Sequence, residues 1–256
     1  AGDAARFADR DRSLRAVAYW LCGALSLSAG CHAPTRSASA DAKPQSVLFV
    51  GNSFLFYNNG IHNHYRRLVR AAGGAQASIY ARSMTLSGGR LPEHRAGLRQ
   101  RLAEQRFDVV VMQGHSLEAI EEGAAFGEAV AEYAHWIRSH DARPALLMTW
   151  AYAKQPEMIN ELSAAYCEVG ERVGAQVIPV GWAFDYVTKD RPDLELRTGD
   201  DKHPTLAGTY LAACTLFVAL HRESPEGLAY RAGLSETDAS YLQQAAWQVL
   251  QDSTIR

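Results

Sequence analysis

The chain has 256 residues, of which 47% are hydrophobic and 21% are charged, a composition that suits one globular domain with a full apolar core. Its 26 Lys and Arg residues nearly balance its 28 Asp and Glu residues, which leaves a formal charge of −2. This near balance of charges argues against a protein that captures nucleic acid or an anionic membrane through its overall charge.

The N-terminal segment, residues 1–45, is predicted to be an export signal followed by a tether. Basic residues precede an uncharged run over residues 16–29, which is too short for a comfortable membrane span. The run ends in Ser-Ala-Gly-Cys at Cys31, which resembles a bacterial lipobox, although Leu27 lies one place earlier than the usual aliphatic residue. Residues 32–45 are rich in Ser, Ala and Pro and predict a flexible linker. We therefore expect an exported protein, either a periplasmic or outer-membrane lipoprotein held only by lipid on Cys31, or a secreted protein.

The remaining residues, 46–256, predict a single α/β domain. Short apolar runs alternate with longer amphipathic stretches, as in a parallel sheet with helices on both faces. The predicted strands are 46–50, 77–81, 108–112, 145–150 and 176–180. The predicted helices are 60–72, 92–105, 123–140, 156–173, 205–221 and 235–251. Five parallel strands indicate a three-layer α/β/α sandwich of the flavodoxin-like type, whose ligand crevice lies at the carboxyl ends of the strands.

Two cysteines, Cys167 and Cys214, lie in this domain, each within an apolar helical pattern. We expect buried free thiols rather than a bridge, although an oxidising compartment would permit one. No CxxC or HExxH spacing occurs in the sequence, and we predict no metal site.

A serine follows the first predicted strand, in the turn Gly51-Asn52-Ser53. This position would place a hydroxyl group at the carboxyl end of the sheet. A serine nucleophile needs a histidine base, a carboxylate that orients the base, and donors for the developing oxyanion. Taken alone, Ser53 fits an ordinary turn or helix N-cap equally well.

A second polar block, Asp200-Asp201-Lys202-His203-Pro204, precedes the apolar helix near the C-terminus. The three-residue spacing lets Asp200 fold back towards His203. Either aspartate could instead cap the helix, and the histidine could be an ordinary surface residue.

Together these two blocks resemble the SGNH (GDSL-like) hydrolase superfamily over roughly residues 46–221, and most closely a bacterial branch with a GNSF motif. In that family a GDS or GNS turn after the first strand supplies the nucleophile, and a late D-x-x-H-P loop supplies acid and base. The resemblance implies the SGNH fold, with Ser53 as nucleophile, His203 as base and Asp200 as the orienting acid. Asp201 would then be a solvated neighbour.

The resemblance also implies an oxyanion hole, which in the family combines the amide of the nucleophile, a glycine after the second strand and an asparagine after the third. The first two donors would be Ser53 and Gly88. The third position departs from the pattern, because the chain has Gln-Gly-His-Ser from Gln113 onward and no asparagine. Alignment on Gly114 puts Ser116 there, but Gln113 carries an equivalent amide. We expect Gln113 to be the third donor, with Ser116 as the alternative.

Further polar and aromatic side chains at the strand ends are candidates for substrate contact. Core packing is the competing role for the aromatic residues among them. These candidates are Asn52, His115, Trp150, Tyr152 and Trp182.

The resemblance implies a serine ester hydrolase that works through an acyl-enzyme intermediate and needs no cofactor. Its substrate would be a small-molecule or polysaccharide ester, and removal of acetyl groups from a polysaccharide is our preferred expectation. Lipase or thioesterase chemistry is the alternative within the same fold. A different class, a non-catalytic cell-surface glycan-binding domain, is favoured only by the missing asparagine. A flavodoxin-like cofactor binder fits less well, because the turn after the first strand offers a single glycine.

Overall fold

Five parallel strands form the centre of the molecule in the computed structural model, which describes residues 42–74 and 77–251. Their spatial order is β2-β1-β3-β4-β5. The strands are β1 (Ser46–Gly51), β2 (Tyr80–Thr85), β3 (Val109–Met112), β4 (Arg143–Leu147) and β5 (Gln176–Ile178). The predicted export segment, its lipobox and most of the tether lie outside the described residues. The predicted fold class, a five-stranded parallel sheet between helical layers, is confirmed.

Helices cover both faces of this sheet, and a short 3₁₀ turn (Tyr57–Asn59) follows the first of them. Within the described ranges they are α1 (Ser53–Phe56), α2 (Ile61–Gly73), α3 (Arg95–Glu104), α4 (Glu118–Glu121), α5 (Gly123–Ser139), α6 (Met158–Val173), α7 (Val180–Asp190), α8 (Leu206–His221) and α9 (Glu236–Gln251). All six predicted helices are present. None of these helices is long and apolar enough to cross a bilayer.

The strands alternate their side chains between two apolar clusters. On β1, Val47 and Phe49 pack with α2, α7, α8 and α9, whereas Leu48 and Val50 face α3, α5 and α6. Burial on both faces explains why the central strands are continuous apolar runs rather than alternating ones. Helix α8 is buried along its whole length between α2 and α9, as its uniformly apolar sequence requires.

Three predicted strands differ from the structure in their bounds. The fourth strand was expected at residues 145–150 but runs from Arg143 to Leu147. The second strand was expected at residues 77–81 but runs from Tyr80 to Thr85, paired with β1 from Ser46↔Tyr80 to Gly51↔Thr85. β2 lies at the edge of the sheet and is only partly buried. Its sequence therefore contains polar residues and lacks the apolar run that would predict a strand. The fifth strand was expected to extend to residue 180, but it ends at Ile178, and α7 begins directly after Pro179.

The two cysteines of the domain differ from each other. Cys214 is a buried free thiol, as expected. Cys167 is disulfide-bonded, so the expectation of a free thiol at this position is wrong. Because Cys214 is free, the two cysteines of the domain do not pair with each other.

Candidate active site

A cleft of about 330 Å³ opens at the carboxyl ends of β1, β2 and β3. Its walls come from the turn after β1, the loops after β2 and β3, and the loop that precedes α8. The lining residues are Asn52, Ser53, Phe54, Phe56, Tyr57, Ser87, Gly88, His115, Ser116, Lys202 and His203. Six candidates from four separate parts of the sequence therefore meet in one cleft: Asn52, Ser53, Gly88, His115, Ser116 and His203.

The turn after β1 presents the Ser53 hydroxyl. Asn52 caps α1, since its Oδ1 accepts the Phe54 N–H at 3.1 Å, and its Nδ2 donates to the Gly89 carbonyl at 3.2 Å. Ser53 is the first residue of α1, so its own N–H has no acceptor within the helix. A Cβ on Gly51 would lie only 2.4 Å from Gln113 Oε1, which explains the glycine at this position.

Ser53, His203 and Asp200 form a connected hydrogen-bond chain. Ser53 Oγ lies 2.8 Å from His203 Nε2, and His203 Nδ1 bonds to Asp200 Oδ2. The second oxygen of Asp200 accepts the His203 N–H at 2.9 Å, so the carboxylate folds back over the intervening residues. This arrangement fixes the histidine ring with Nε2 towards the serine.

The Asp200 carboxylate is stabilised as an anion. Partial burial opposes its ionisation, but hydrogen bonds from the His203 ring and N–H, the Thr198 hydroxyl and the Lys202 N–H outweigh that effect and hold its pKa well below the usual value. The Thr198 and Lys202 donors lie 2.8 Å and 3.1 Å from Oδ1. Asp200 is therefore charged at neutral pH and can stabilise a protonated His203.

Aromatic residues of the nucleophile turn hold the imidazole in place. Tyr57 stacks on the His203 ring with centroids 4.3 Å apart, and Phe54 meets the ring edge-on at 5.5 Å. The segment that carries Ser53 thus also packs against the base with which Ser53 interacts.

Trp150, a predicted substrate contact, lies behind the cleft rather than in it. It is fully buried between Phe54 and Phe184, with both rings stacked on it at 4.4 Å and 4.2 Å. Its Nε1–H donates to the Lys202 carbonyl at 2.8 Å. Trp150 therefore anchors the loop that carries His203. Trp182 does not line the cleft either, and its Nε1–H donates to Ser163 Oγ at 3.0 Å.

Asp201, which was expected to be solvated, is half-buried and bonded to the loop after β4. Its Oδ1 accepts the Lys154 N–H at 2.9 Å, and its carbonyl accepts the Ala153 N–H at 3.0 Å. Its backbone has a φ of 78°, a left-handed conformation that Asp tolerates better than most residues. Asp201 and Trp150 together fix the loop from its two sides.

The Gln113 side chain is buried beneath the nucleophile turn. Its Oε1 accepts the Asn52 N–H at 3.1 Å, and its Nε2 donates to the Gly114 carbonyl. Gln113 is only 1% exposed and is absent from the cleft lining. The structure therefore does not bring this amide group into the cleft.

The loop after β3 instead presents Ser116 and His115. Ser116 Oγ bonds to the Tyr152 hydroxyl at 2.8 Å, which gives Tyr152 contact with a cleft residue. His115 Nδ1 is buried without a hydrogen-bond partner in the described structure. Burial, followed by the charges of Arg90 and Lys202, lowers the pKa of His115. His115 lines the cleft, and its buried Nδ1 has no hydrogen-bond partner among the described residues.

The buried residue Glu118 joins the loops after β2 and β3, a role that sequence reasoning missed. Its Oε2 accepts the His115 N–H at 2.6 Å, and its carboxylate accepts the Leu91 N–H at 3.0 Å. Burial raises its pKa, although these backbone donors offset part of the effect. Glu118 is one of three glutamates between residues 118 and 122, and nothing in the sequence singles it out for such a role.

Gly88, which has no side chain, lines the cleft through its backbone. Its φ is 65°, a conformation that favours glycine, and a Cβ there would have open space around it. The glycine is thus required by backbone conformation rather than by crowding. Within the described residues no group of three or more His, Cys, Asp or Glu side chains is arranged to hold a metal ion.

Known structures share this architecture. A DUF4886 family protein from Bacteroides uniformis superposes with a TM-score of 0.70 and 22% identity, over 80% of this chain and 94% of the other. A protein of Slackia heliotrinireducens assigned to the SGNH hydrolases gives a TM-score of 0.60 and 25% identity, over 68% of this chain and 98% of the other. The chain has the SGNH hydrolase fold.

The SGNH fold is also that of the acetyl xylan esterase AlAXEase, which superposes with a TM-score of 0.57 and 16% identity over 68% of this chain and 99% of the other. No family model matches the sequence, and no curated protein matches it. The SGNH assignment therefore rests on the fold and on the short motifs around Ser53 and His203.

Proposed function

We propose that the protein is a serine ester hydrolase with Ser53 as nucleophile, His203 as general base and Asp200 as the orienting acid. The observation that carries this proposal is the 2.8 Å contact between Ser53 Oγ and His203 Nε2, with the other ring nitrogen bonded to Asp200. A nucleophile, a base and an orienting group in hydrogen-bond contact are what an activated serine requires.

In the proposed reaction Ser53 Oγ attacks the acyl carbonyl while His203 Nε2 takes its proton. Asp200 stabilises the imidazolium that forms. The oxyanion accepts hydrogen bonds from the N–H groups of Ser53 and Gly88, both at the cleft. His203 then protonates the leaving alcohol, and an acyl-enzyme remains on Ser53. A water molecule, deprotonated by His203, releases the acid and restores the serine.

We further propose that the ester is an acetyl group on a polysaccharide. A cleft of about 330 Å³ has little space for a long acyl chain beside a sugar. Phe56, 40% exposed, lies at the cleft and offers an apolar surface for a sugar ring. Two similar structures, AlAXEase and Axe2 from Geobacillus stearothermophilus, are described as acetyl xylan esterases.

The nucleophile is tested by turnover and by covalent labelling. Ser53→Ala and His203→Ala should each abolish hydrolysis of p-nitrophenyl acetate while the thermal unfolding midpoint stays close to that of the unmodified protein, because nucleophile and base act as one unit. A fluorophosphonate should label Ser53. Ser87 lines the same cleft but makes no hydrogen bond to a base within the described residues, so Ser87→Ala should still be labelled. Full turnover in either triad variant would refute the proposal.

The substrate is tested by comparing acetate release from acetylated xylo-oligosaccharides with hydrolysis of p-nitrophenyl octanoate. A higher kcat/KM on the acetylated sugar supports polysaccharide deacetylation. Preference for the octanoate would favour lipase-type chemistry by the same three residues.

A further inference from the structure

A second concave surface, outside the proposed active site, is lined by three arginines of α2. We call it the arginine groove. It has a volume of about 520 Å³, and its polar lining consists chiefly of Asn59, Asn63, Arg66, Arg67 and Arg70. We propose that the arginine groove binds the carboxylates or phosphates of an anionic glycan.

The three arginines carry positive charge that the described protein does not neutralise. None of them lies within 4.0 Å of a carboxylate in the described residues, whereas Arg191 pairs with Asp193 at 2.8 Å and Arg231 with Glu236 at 2.9 Å. Arg66 and Arg70 are four residues apart, so their like charges destabilise the helix. Although the formal charge of the whole chain is −2, this surface carries three cationic side chains that are unpaired in the described part of the chain. Their mutual repulsion lowers the stability of α2.

The side chains of the groove are partly pre-oriented. Arg66 Nη1 donates to Asn63 Oδ1 at 3.3 Å, and Asn63 Nδ2 donates to the Asn59 carbonyl at 2.8 Å. Arg67 packs over the ring of Tyr230, 5.6 Å from its centroid. Planar guanidinium groups held in this way match carboxylate and phosphate oxygens in bidentate fashion.

The neighbouring His62 responds to this positive field. Burial, followed by the charges of Arg66 and Arg82, lowers its pKa to about 4. The imidazole is therefore neutral at neutral pH. Burial is the main cause of this shift, and the charge of Arg66 adds to it.

The position of the groove favours a glycan as the bound partner. Asn59 ends the 3₁₀ turn that begins at Tyr57, and Tyr57 lines the active-site cleft and stacks on His203. Two residues of chain span at most about 7 Å, so the Asn59 end of the groove lies near the cleft, and the groove extends from there along α2. An anionic polymer could therefore occupy both sites, with its ester at Ser53. The role of the groove in selecting substrate rests on the proposed esterase function, but anion binding by the groove does not.

Other anionic partners fit the surface less well. A bilayer presents a broad, flat surface, whereas this site is concave. Single-stranded nucleic acid usually needs aromatic side chains on which its bases can stack, and the groove lining contains none. These partners remain as alternative outcomes of the experiment below.

The test is a binding titration at low salt with Ser53→Ala protein, which requires no catalysis. The probes are an oligogalacturonate for carboxylates, a glycerol phosphate oligomer for phosphates, and neutral xylohexaose. We expect at least one anionic probe to bind about tenfold more tightly than xylohexaose. The double variant Arg66→Gln/Arg70→Gln should remove that difference in affinity. The double variant Arg66→Lys/Arg70→Lys should retain part of it, because Lys keeps the positive charge but cannot form the bidentate hydrogen bonds of a guanidinium group.

The matched control is Arg99→Gln/Arg101→Gln, which removes two exposed arginines from α3 on the opposite face of the sheet. Its affinity for the anionic probe should stay within about twofold of the unmodified protein. Equal binding of neutral and anionic probes, or an equal loss in the control, would overturn the inference. Tighter binding of oligothymidylate or of phosphatidylglycerol vesicles would show that the partner is not a glycan. If the unmodified protein does not hydrolyse p-nitrophenyl acetate but its arginine groove binds the anionic probe, the esterase proposal alone is overturned.

Discussion

Gln113 Oε1 accepts the backbone N–H of Asn52 at 3.1 Å, directly beneath the turn that carries Ser53. The side chain therefore supports the nucleophile turn from the buried side. In Gln113→Ala the Asn52 N–H loses its acceptor in a buried position, which costs about 1 to 3 kcal/mol. We expect a lower free energy of unfolding together with lower turnover. Urea denaturation and p-nitrophenyl acetate kinetics test this. A large fall in kcat with unchanged stability would favour a donor role for the Gln113 amide after all.

Ser116 offers a different test of the third oxyanion donor, because this residue lines the cleft. If this hydroxyl stabilises the oxyanion, Ser116→Ala should lower kcat by about 10²-fold or more and leave KM nearly unchanged. Tyr152→Phe is the matched control, since it removes only the hydroxyl that Ser116 contacts at 2.8 Å. An equal loss in both variants would mean that the pair has a structural role. If Ser116→Ala is silent, His115→Ala tests the remaining polar side chain of the loop.

Asp200→Asn should lower kcat/KM for p-nitrophenyl acetate by about 10² to 10⁴, because the amide cannot stabilise the imidazolium as a carboxylate does. The matched control is Asp201→Asn on the same loop. Asn at this position keeps the Oδ1 acceptor that binds the Lys154 N–H, and we expect activity within about threefold of the original. Equal losses in the two variants would contradict the assignment of the acid.

Trp150→Phe should separate loop anchoring from core packing. The phenyl ring can retain the stacking with Phe54 and Phe184, but the hydrogen bond to the Lys202 carbonyl is lost. We expect a stability loss of about 1 kcal/mol from the hydrogen bond, to which the cavity left by the smaller ring adds, and a several-fold fall in kcat as the His203 loop loosens. Trp150→Ala, which creates a cavity, should cost about 3 to 5 kcal/mol. Unchanged kcat in the Phe variant would show that Asp201 suffices to hold the loop.

The protein should lose stability in mild acid through His221. Burial lowers the pKa of His221 from 6.5 to about 4, so the unfolded chain binds more protons between those values and the free energy of unfolding falls as the pH falls through this window. Between pH 7 and 4.5 the loss from this residue is on the order of 2 kcal/mol. His221→Gln, which keeps a partner for the Tyr65 hydroxyl, should reduce that loss. His135→Gln on the exposed side of α5 is the control, and an equal acid dependence in all three proteins would refute the prediction.

The sequence predicted the fold class because parallel strands buried on both faces leave an unmistakable alternation with helices. The sequence also predicted residues that meet at the cleft, because the patterns that identify them are local. Asp200 and His203 are three residues apart, and Ser53 follows a strand. Whether these residues catalyse a reaction stays a prediction until the variants are measured.

Features that depend on tertiary contacts were not visible in the sequence. Nothing in the order of residues shows that Gln113 points beneath the turn, or that the Trp150 ring lies behind the cleft. The arginine groove was hidden for another reason: a formal charge of −2 averages over the whole surface, whereas Arg66, Arg67 and Arg70 concentrate cations on one helix. Helix α7 was missed because Val180 continues an apolar run beyond Pro179.

The contact between Ser53 and His203 joins residues that are 150 positions apart. Asp200 and His203 are neighbours and can adopt their mutual geometry early, but the base reaches the serine only after α8 has docked against the β1 side of the sheet. Hydrolysis would then report that both ends of the domain have come together. During refolding, activity should not return before α8 has docked, and a fragment that ends before α8 should be inactive even if its sheet is formed.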